Sequence, residues 1–136
     1  MSARVRDCDE RISAGRLQKA EQFRDAAETI REFADEEAEV GDAFVTLCIQ
    51  AGIAASDTIC CEALGHHAQG DDHNQAVAEL SKVRPNGQEL GNDLRALLQI
   101  KHRAEYGPIP VTTEQRKRAW RRAESLVEAA RLLRSG

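Results

Sequence analysis

The spacing of apolar residues along the chain predicts helices rather than sheets. Apolar side chains recur every three to four residues in several segments, which places them on one face of a helix. No segment alternates apolar and polar residues for long enough to predict a strand. Turn-forming residues divide the chain into helical segments at roughly 12–35, 42–65, 72–83 and 88–106, followed by a last helix that begins near residue 112.

Residues that favour helix ends mark the boundaries of these segments. N-caps are predicted at Ser13, at Asp71 or Asp72, and at Thr112. Thr112 and Gln115 are spaced as a capping box, and Gly65 is the residue type that most often follows a helix in the left-handed conformation. Four long helices with one short helix predict an all-α antiparallel bundle. We expect a single domain over residues 1–136, with residues 1–11 disordered.

The second helical segment is the most apolar part of the chain and is expected to form the centre of the bundle. Aromatic residues make up only 4% of the sequence, so the core must be built from Leu, Ile, Val and Ala. Gly52 lies mid-segment, although glycine destabilises a helix interior by about 1 kcal/mol relative to alanine. Its presence predicts that the backbone of another helix approaches closely there.

Composition adds an expectation about location and about the cysteines. No apolar run approaches the roughly 18 residues that a transmembrane helix needs, and the first residues lack the apolar segment of a signal peptide. We therefore expect a cytoplasmic protein with no membrane contact. The four cysteines (Cys8, Cys48, Cys60 and Cys61) are then expected to be reduced, with Cys60 and Cys61 as buried small apolar residues.

Charge is unevenly distributed, although the net charge is only −4. Residues 21–42 are acidic, and the basic segment that begins at Arg95 ends in Arg116, Lys117, Arg118, Arg121 and Arg122. This asymmetry indicates either a nucleic-acid surface or acidic and basic helices packed side by side. We favour helix packing, because the basic run lies on an amphipathic helix on which Trp120 shares the apolar face.

The fourth helical segment carries a polar stripe opposite its apolar face. Its core face is formed by Leu90, Leu94, Leu97 and Ala104. On a helical wheel, Arg95, His102, Tyr106 and Gln99 fall within a narrow sector on the other side. Arg95 and His102 are two turns apart, about 10.5 Å along the axis. From spacing alone, a solvated polar surface is the favoured interpretation.

Three short motifs resemble the HEPN superfamily (higher eukaryotes and prokaryotes nucleotide-binding domains). The short helix follows Gly70-Asp71-Asp72-His73, which resembles the family's Gly…His motif at that place. The fourth helix ends in Lys101-His102-Arg103-Ala104-Glu105-Tyr106, which resembles the Arg-x-x-Ala-Asp-Tyr ending of bacterial members. The second helix, with Ala51-Gly52-Ile53-Ala54-Ala55-Ser56-Asp57, resembles the Ala-rich central helix of the family. The resemblance implies four long helices with a short one between the second and third.

The resemblance implies two different functions. Catalytic members are metal-independent ribonucleases with an Arg and a His separated by four to six residues, and six residues separate Arg95 from His102. In such a site the His acts as acid or base and the Arg stabilises phosphate charge, with Asp57 as a positioning group. Here, however, Ala96 follows Arg95, and Tyr106 lies four residues past the His. The ending at Tyr106 is typical of members that lack the nuclease pair and serve as binding modules.

We therefore expect a small cytoplasmic HEPN-like module that binds a nucleotide, RNA or a protein partner. Its partner would be a nucleotidyltransferase or an antitoxin, its assembly a homodimer, and it would need no cofactor. The candidate binding residues are Asp57, Gln99, Arg103 and Tyr106. The alternatives are a metal-independent ribonuclease that uses Arg95 and His102, and a purely structural interaction protein.

Two further polar groups call for an explanation. His66, His67, Asp71, Asp72 and His73 crowd one predicted loop. Neighbours in a flexible loop seldom converge on an ion, so no metal site is expected. Asp57 is a carboxylate in an otherwise apolar helix. If buried, it needs a partner, for which we expect an Arg of the fourth helix or a Tyr hydroxyl.

Overall fold

The computed structural model describes residues 4–70 and 72–136, and most of them lie in helices. The helices are α1 (Glu10–Phe33), α2 (Gly41–Leu64), α3 (His73–Ser81), α4 (Gly87–Glu105) and α5 (Thr113–Ser135), with a 3-10 turn at Glu37–Val40 before α2. The predicted helix boundaries agree with these to within about two residues. The all-α bundle of four long helices and one short helix is confirmed.

Helix α2 is the centre of the bundle, as predicted, and packs against α1, α4 and α5. Its larger buried side chains include Phe44, Val45, Ile49 and Ile59. A Cβ atom added at Gly52 would lie 2.4 Å from Cδ1 of Leu97 on α4 and 3.3 Å from Cδ1 of Leu126 on α5. The close approach at Gly52 is therefore confirmed, but it comes from two leucine side chains and not from a helix backbone.

Most predicted helix ends are observed, but that of α1 differs. The side chain of Asp9, not Ser13, caps α1 by accepting a hydrogen bond from the amide of Ile12 at 2.9 Å. Ser13 lies buried inside the first turn and donates its hydroxyl to Glu62. The chain can start the helix earlier because Asp9 is an equally good cap.

The remaining caps agree with the sequence. Asp72 caps α3 through the amide of Gln75, while the alternative Asp71 lies outside the described residues. Thr112 and Gln115 form the predicted capping box at the start of α5. Gly65 follows α2 with a φ of 80°, the left-handed conformation expected of a glycine there.

A short antiparallel sheet at the N-terminus was not predicted. Strand β1 (Val5–Asp7) pairs with strand β2 (His66–Ala68), with Arg6 opposite His67. The expectations of disorder through residue 11 and of a loop after Gly65 are therefore wrong for the described residues, while residues 1–3 lie outside them. Strands of three residues are too short to produce a detectable alternation, and their pairing depends on residues far apart in the chain.

Two cysteines are joined, which corrects the expectation of four reduced thiols. The pairing of β1 with β2 carries Cys8 to the last turn of α2, where it forms a disulfide with Cys61 at a Cα–Cα distance of 5.7 Å. Cys48 and Cys60 are free and buried, as expected of small apolar side chains. Burial raises the pKa of both of these thiols to about 12, so they are unreactive near neutral pH.

One segment of the described residues passes a length and composition test for a membrane span. It runs from Glu37 to Leu64 and includes α2, so the expectation that no apolar run reaches that length is wrong. Within the bundle, however, 72% of its most apolar window is buried against the other helices. The core helix of a globular protein has the same signature, so the observation is weak as an indication of a membrane.

Ion pairs join the long helices, although not in the pattern that the charge runs predicted. Glu21 on α1 pairs with Arg131 on α5 at 3.0 Å, while Arg24 pairs in the opposite sense with Glu124. The basic run itself reaches α4, where Arg122 binds the buried carboxylate of Asp93 at 2.8 Å. Helix packing is therefore confirmed as one role of these charges, but the acidic segment and the basic run are not each other's partners.

Trp120 packs at the edge of the core, between α1 and α2. Its ring stacks on Phe44 with centroids 5.9 Å apart, and the guanidinium of Arg31 lies 4.4 Å from the centroid of Trp120. Trp120 is only partly buried by the core, and arginines from α1 cover its outer face. It is thus a packing residue, as predicted, with a cation–π contact that the sequence did not indicate.

Candidate functional site

One large cleft opens on the side of the bundle where α1, α2, α3, α4 and the small sheet meet. It has a volume of about 970 Å³. Three histidines line it, namely His67 from β2, His73 from α3 and His102 from α4. We call it the histidine cleft. Two residues singled out from the sequence, Asp57 and Tyr106, line it as well.

Asp57 lines the cleft, where it pairs with Arg16 of α1 and lies beside His67 of β2. Both Nε and Nη2 of Arg16 lie 2.9 Å from Oδ2 of Asp57, and Nδ1 of His67 lies 3.7 Å from its Oδ1. The expected partner, an Arg of the fourth helix or a Tyr hydroxyl, is therefore wrong. Burial raises the pKa of the Asp57 carboxyl, and the charges of Arg16 and His67 offset part of that rise.

His67 is held in one orientation beside Asp57. Its Nδ1 lies 2.7 Å from the backbone carbonyl oxygen of Ala68. Because a carbonyl only accepts, Nδ1 is the protonated donor, and in the neutral ring Nε2 carries the lone pair. The side chain is only 13% exposed. This bond therefore fixes the orientation of the His67 ring beside the cleft.

The α4 wall of the cleft is formed by Lys101, His102 and Tyr106. The rings of His102 and Tyr106 lie 6.0 Å apart, one turn apart on the helix, and Tyr106 is 74% exposed. Nζ of Lys101 lies 2.5 Å from Oε1 of Glu105. This wall therefore presents an ion-paired lysine, an imidazole and an exposed aromatic ring along one helix.

The lining of the cleft combines apolar side chains with more cations than carboxylates. Ile12, Ile53, Ala76 and Leu98 form apolar parts of the lining. The charged lining residues are three cations, Arg6, Arg16 and Lys101, and two carboxylates, Asp57 and Asp72. Two of the cations are ion-paired, Arg16 with Asp57 and Lys101 with Glu105, while Asp72 caps α3. Cations beside apolar side chains suit a ligand that combines a flat apolar ring with phosphate.

The buried carboxylate of Glu79 supports β2 and α3, two of the elements that form the cleft. Glu79 on α3 has no exposed surface and accepts hydrogen bonds from His66 at 2.8 Å, Gln75 at 2.7 Å and Lys82 at 2.6 Å. Burial by itself raises the pKa of Glu79, but the bonds from Lys82 and His66 outweigh it and hold the pKa below its ordinary value. The cluster ties β2 to α3, so it fixes the two elements that carry His67 and His73.

The structure separates the two residues of the predicted nuclease pair. Arg95 and Gln99 line a different groove of about 490 Å³, where Nη1 of Arg95 donates to Oδ1 of Asn92 at 2.9 Å. His73 and Leu98 line both grooves and form the ridge between them. Within one chain, therefore, Arg95 and His102 face different grooves.

Arg103, another predicted binding residue, is used internally. Its Nε and Nη2 both donate to the carbonyl oxygen of Pro110, at 3.0 and 2.7 Å. These bonds hold the connection between α4 and α5 against the end of α4. The basic residue of this ending is thus engaged in closing the loop.

Five basic or histidine side chains of the lining were not predicted as site residues, namely Arg6, Arg16, His67, His73 and Lys101. The carboxylate of Asp57 in an apolar helix was a signal that a cation should lie nearby, and the paired histidines were a signal of chemistry near residue 66. The sequence did not predict a metal site in this loop. Within residues 4–70 and 72–136, no three metal-binding side chains cluster. Instead His66 turns to Glu79 while His67 turns to the cleft.

A scan against models of known protein families finds no match, and a search of curated proteins finds no relative of significant similarity. The geometry of the cleft is therefore the main guide to what the protein binds.

Proposed function

We propose that this chain is a helical binding module of the HEPN type that holds a nucleotide, free or as a unit of RNA, in the histidine cleft. The main support for the proposal is that three cations, three histidines and several apolar side chains line the same cleft. A phosphate needs charged donors, and a base needs flat apolar contact. Both are present within one cleft of about 970 Å³, a size typical of small-ligand sites.

Different parts of the cleft suit different parts of a nucleotide. Arg6 on β1 and Lys101 on α4 supply cations to a phosphate, which would compete with Glu105 for Lys101. Ile53 and Leu98 provide apolar contact for a base, and the exposed ring of Tyr106 can stack on it. The Asp57–Arg16 pair then has a positioning role, since Asp57 lies 3.7 Å from the ring of His67.

The motif resemblance supports the same class of function. A short helix between the second and third long ones occurs at the place that the HEPN resemblance implies. With it we propose a cytoplasmic location, assembly as a homodimer and a nucleotidyltransferase or antitoxin as partner. The ribonuclease alternative would require Arg95 to meet His102 across a subunit contact, because the two line different grooves of one chain.

Calorimetric titration with adenosine diphosphate and a short RNA tests the proposal. Loss of a charge-assisted contact weakens binding by roughly 10- to 100-fold, so we expect losses of this size for Lys101→Ala and His102→Ala. Arg95→Ala is the matched control, since it removes a cation from the same helix outside the cleft, and its affinity should stay within about two-fold.

Two results would contradict the proposal. One is the absence of binding by the wild type at millimolar concentrations of both ligands. The other is a loss in Arg95→Ala as large as that in Lys101→Ala. Cleavage of the RNA in the presence of EDTA that disappears in both His102→Ala and Arg95→Ala would support the ribonuclease instead.

A further inference from the structure

The disulfide lies directly beside the histidine cleft. Cys8 follows β1, and Cys61 lies in the last turn of α2, one turn beyond Asp57. Arg6 is two residues from Cys8, and its Cα is paired with that of His67 in the sheet. Residues directly opposite in a sheet project from the same face, and both line the cleft. The disulfide therefore anchors the strand that brings Arg6 to the site.

Helix α1, which begins two residues after Cys8, holds the C-terminal end of β1, but the strand itself makes few contacts. The strand contributes three residues to a two-stranded sheet, and a sheet of this size is marginal on its own. Val5 is partly buried, whereas Arg6 and Asp7 are exposed, so β1 buries little apolar surface. Backbone hydrogen bonds from Cys8 to Gly65 and from Gln69 to Arg4 flank the sheet. The disulfide adds a covalent anchor where β1 leads into α1.

We propose that Cys8–Cys61 is a redox-modification site that controls the histidine cleft. In the oxidised protein the disulfide keeps β1 on β2, with Arg6 at the rim. Reduction releases β1, removes Arg6 from the cleft and leaves the edge of β2, with His67, uncovered. The effect on ligand affinity rests on the function proposed above, whereas the release of β1 does not. Disulfides of cytosolic proteins are commonly redox-sensing, which agrees with the proposed location.

The reaction is a thiol–disulfide exchange with a dithiol. A thiolate of the dithiol attacks Sγ of Cys8, the more exposed of the two residues, and expels the thiolate of Cys61, which takes up a proton. The second thiol of the dithiol then attacks the mixed disulfide, frees Cys8 as a thiol and closes the oxidised dithiol ring. The protein disulfide gains two electrons and two protons, which the dithiol loses. A small-molecule disulfide such as oxidised glutathione reverses the exchange.

Hydrogen–deuterium exchange on the full chain tests the release of β1. We compare the oxidised protein, the protein reduced with dithiothreitol, and Cys8→Ser. In the last two we expect the amides of Cys8 and Gln69 to exchange at least about ten-fold faster, with the core amides of α2 and α5 unchanged. Cys48→Ser is the matched control, because Cys48 is a buried free thiol and its variant keeps the disulfide.

Two exchange results would overturn the proposal. If reduction leaves the amides of β1 and β2 unchanged, the strand does not depend on the disulfide. If reduction accelerates exchange throughout the bundle, the disulfide is a staple for the whole fold and not a local control. Counting reactive thiols with an alkylating reagent verifies the redox state, since Cys48 and Cys60 are buried and have a raised pKa.

A second measurement tests control of the ligand site, with a fluorescent adenosine diphosphate as the probe. We expect the reduced protein to bind roughly ten-fold more weakly than the oxidised one, and oxidised Arg6→Ala to lose about the same factor. Equal affinities of the two redox states, with β1 released, would overturn control of binding. If no form binds the probe, the proposed function fails, and the exchange experiment still decides whether the disulfide holds β1.

Discussion

On the side of α2 that faces α4 and α5, Gly52 leaves room for the side chains of Leu97 and Leu126. On the side that faces α1 and the small sheet, Asp57 pairs with Arg16 and lies beside His67. The first side is apolar and close-packed. On the second side the carboxylate of Asp57 is largely buried, which the fold alone does not require. One helix thus carries the core on one side and the candidate site on the other, and substitutions on the two sides should have different effects.

The largest expected effect is a loss of stability on the apolar side. Leu97→Ala removes a fully buried side chain from the contact with Gly52, which should lower the free energy of unfolding by about 3 kcal/mol. Urea denaturation measures this change. The nucleotide affinity of the folded variant should stay within about two-fold of the wild type, because Leu97 does not line the histidine cleft. A large loss of affinity would show that the two sides of α2 are coupled.

The next effect concerns the support of the cleft wall. Glu79→Gln should lower the free energy of unfolding at pH 7 by about 2 kcal/mol, because it removes the charged acceptor of His66 and Lys82. The pKa of Glu79 is lowered, so its contribution is present above its ordinary value of 4.5 and is lost as pH falls through the lowered pKa. The gap between wild type and variant in urea denaturation should therefore shrink below pH 4.5. A gap that is constant with pH would contradict this origin.

A smaller effect on stability, of opposite sign in two backgrounds, tests the packing at Gly52. In the wild-type background Gly52→Ala should destabilise by about 1 kcal/mol, since the clash with buried Leu97 outweighs the better helix propensity of alanine. In the Leu97→Ala background only the 3.3 Å approach to Cδ1 of Leu126 remains, so the same change should stabilise by up to about 1 kcal/mol. A double-mutant cycle measures the coupling. Equal effects in the two backgrounds would mean that Leu97 does not limit the space at Gly52.

The smallest effect on stability is expected at Asp57. Asp57→Asn should change the free energy of unfolding by less than about 1 kcal/mol at pH 7, because the burial of the charged carboxylate opposes its pairing with Arg16. The pKa of Asp57 is raised, so the wild type should lose stability relative to the variant as pH rises through that pKa. This is the opposite sign to Glu79. Urea denaturation between pH 3 and 7 distinguishes the two carboxylates.

The helices were predictable because their signals are local. The capping box at Thr112 and the left-handed Gly65 depend on residues within one or two turns, and both are observed. The disulfide and the Arg16–Asp57 pair were missed because each joins residues more than forty positions apart. Local periodicity carries no information about such pairs, since they depend on how β1 and α1 pack on α2.

The sequence did not predict that the polar stripe on α4 is divided between two grooves. A helical wheel places Arg95 and His102 in one sector, and both side chains are exposed. The wheel does not include the neighbouring helix, and α3 crosses this face so that His73 and Leu98 separate the two residues into different grooves. Tyr106 and Asp57 were chosen for their chemistry and do line the cleft with His102. Packing of a second helix thus decides which part of a stripe belongs to a site.

The most direct test of the account is the map of amide chemical-shift changes on titration of the ¹⁵N-labelled oxidised protein with adenosine diphosphate. We expect the largest changes at residues around the histidine cleft, including Asp57, His67 and His102, with saturation at a single dissociation constant. Changes centred on Arg95 and Gln99, or on the basic face of α5, would place the ligand elsewhere on the molecule. Those results, or no change at all, would contradict the assignment of the cleft as a nucleotide site.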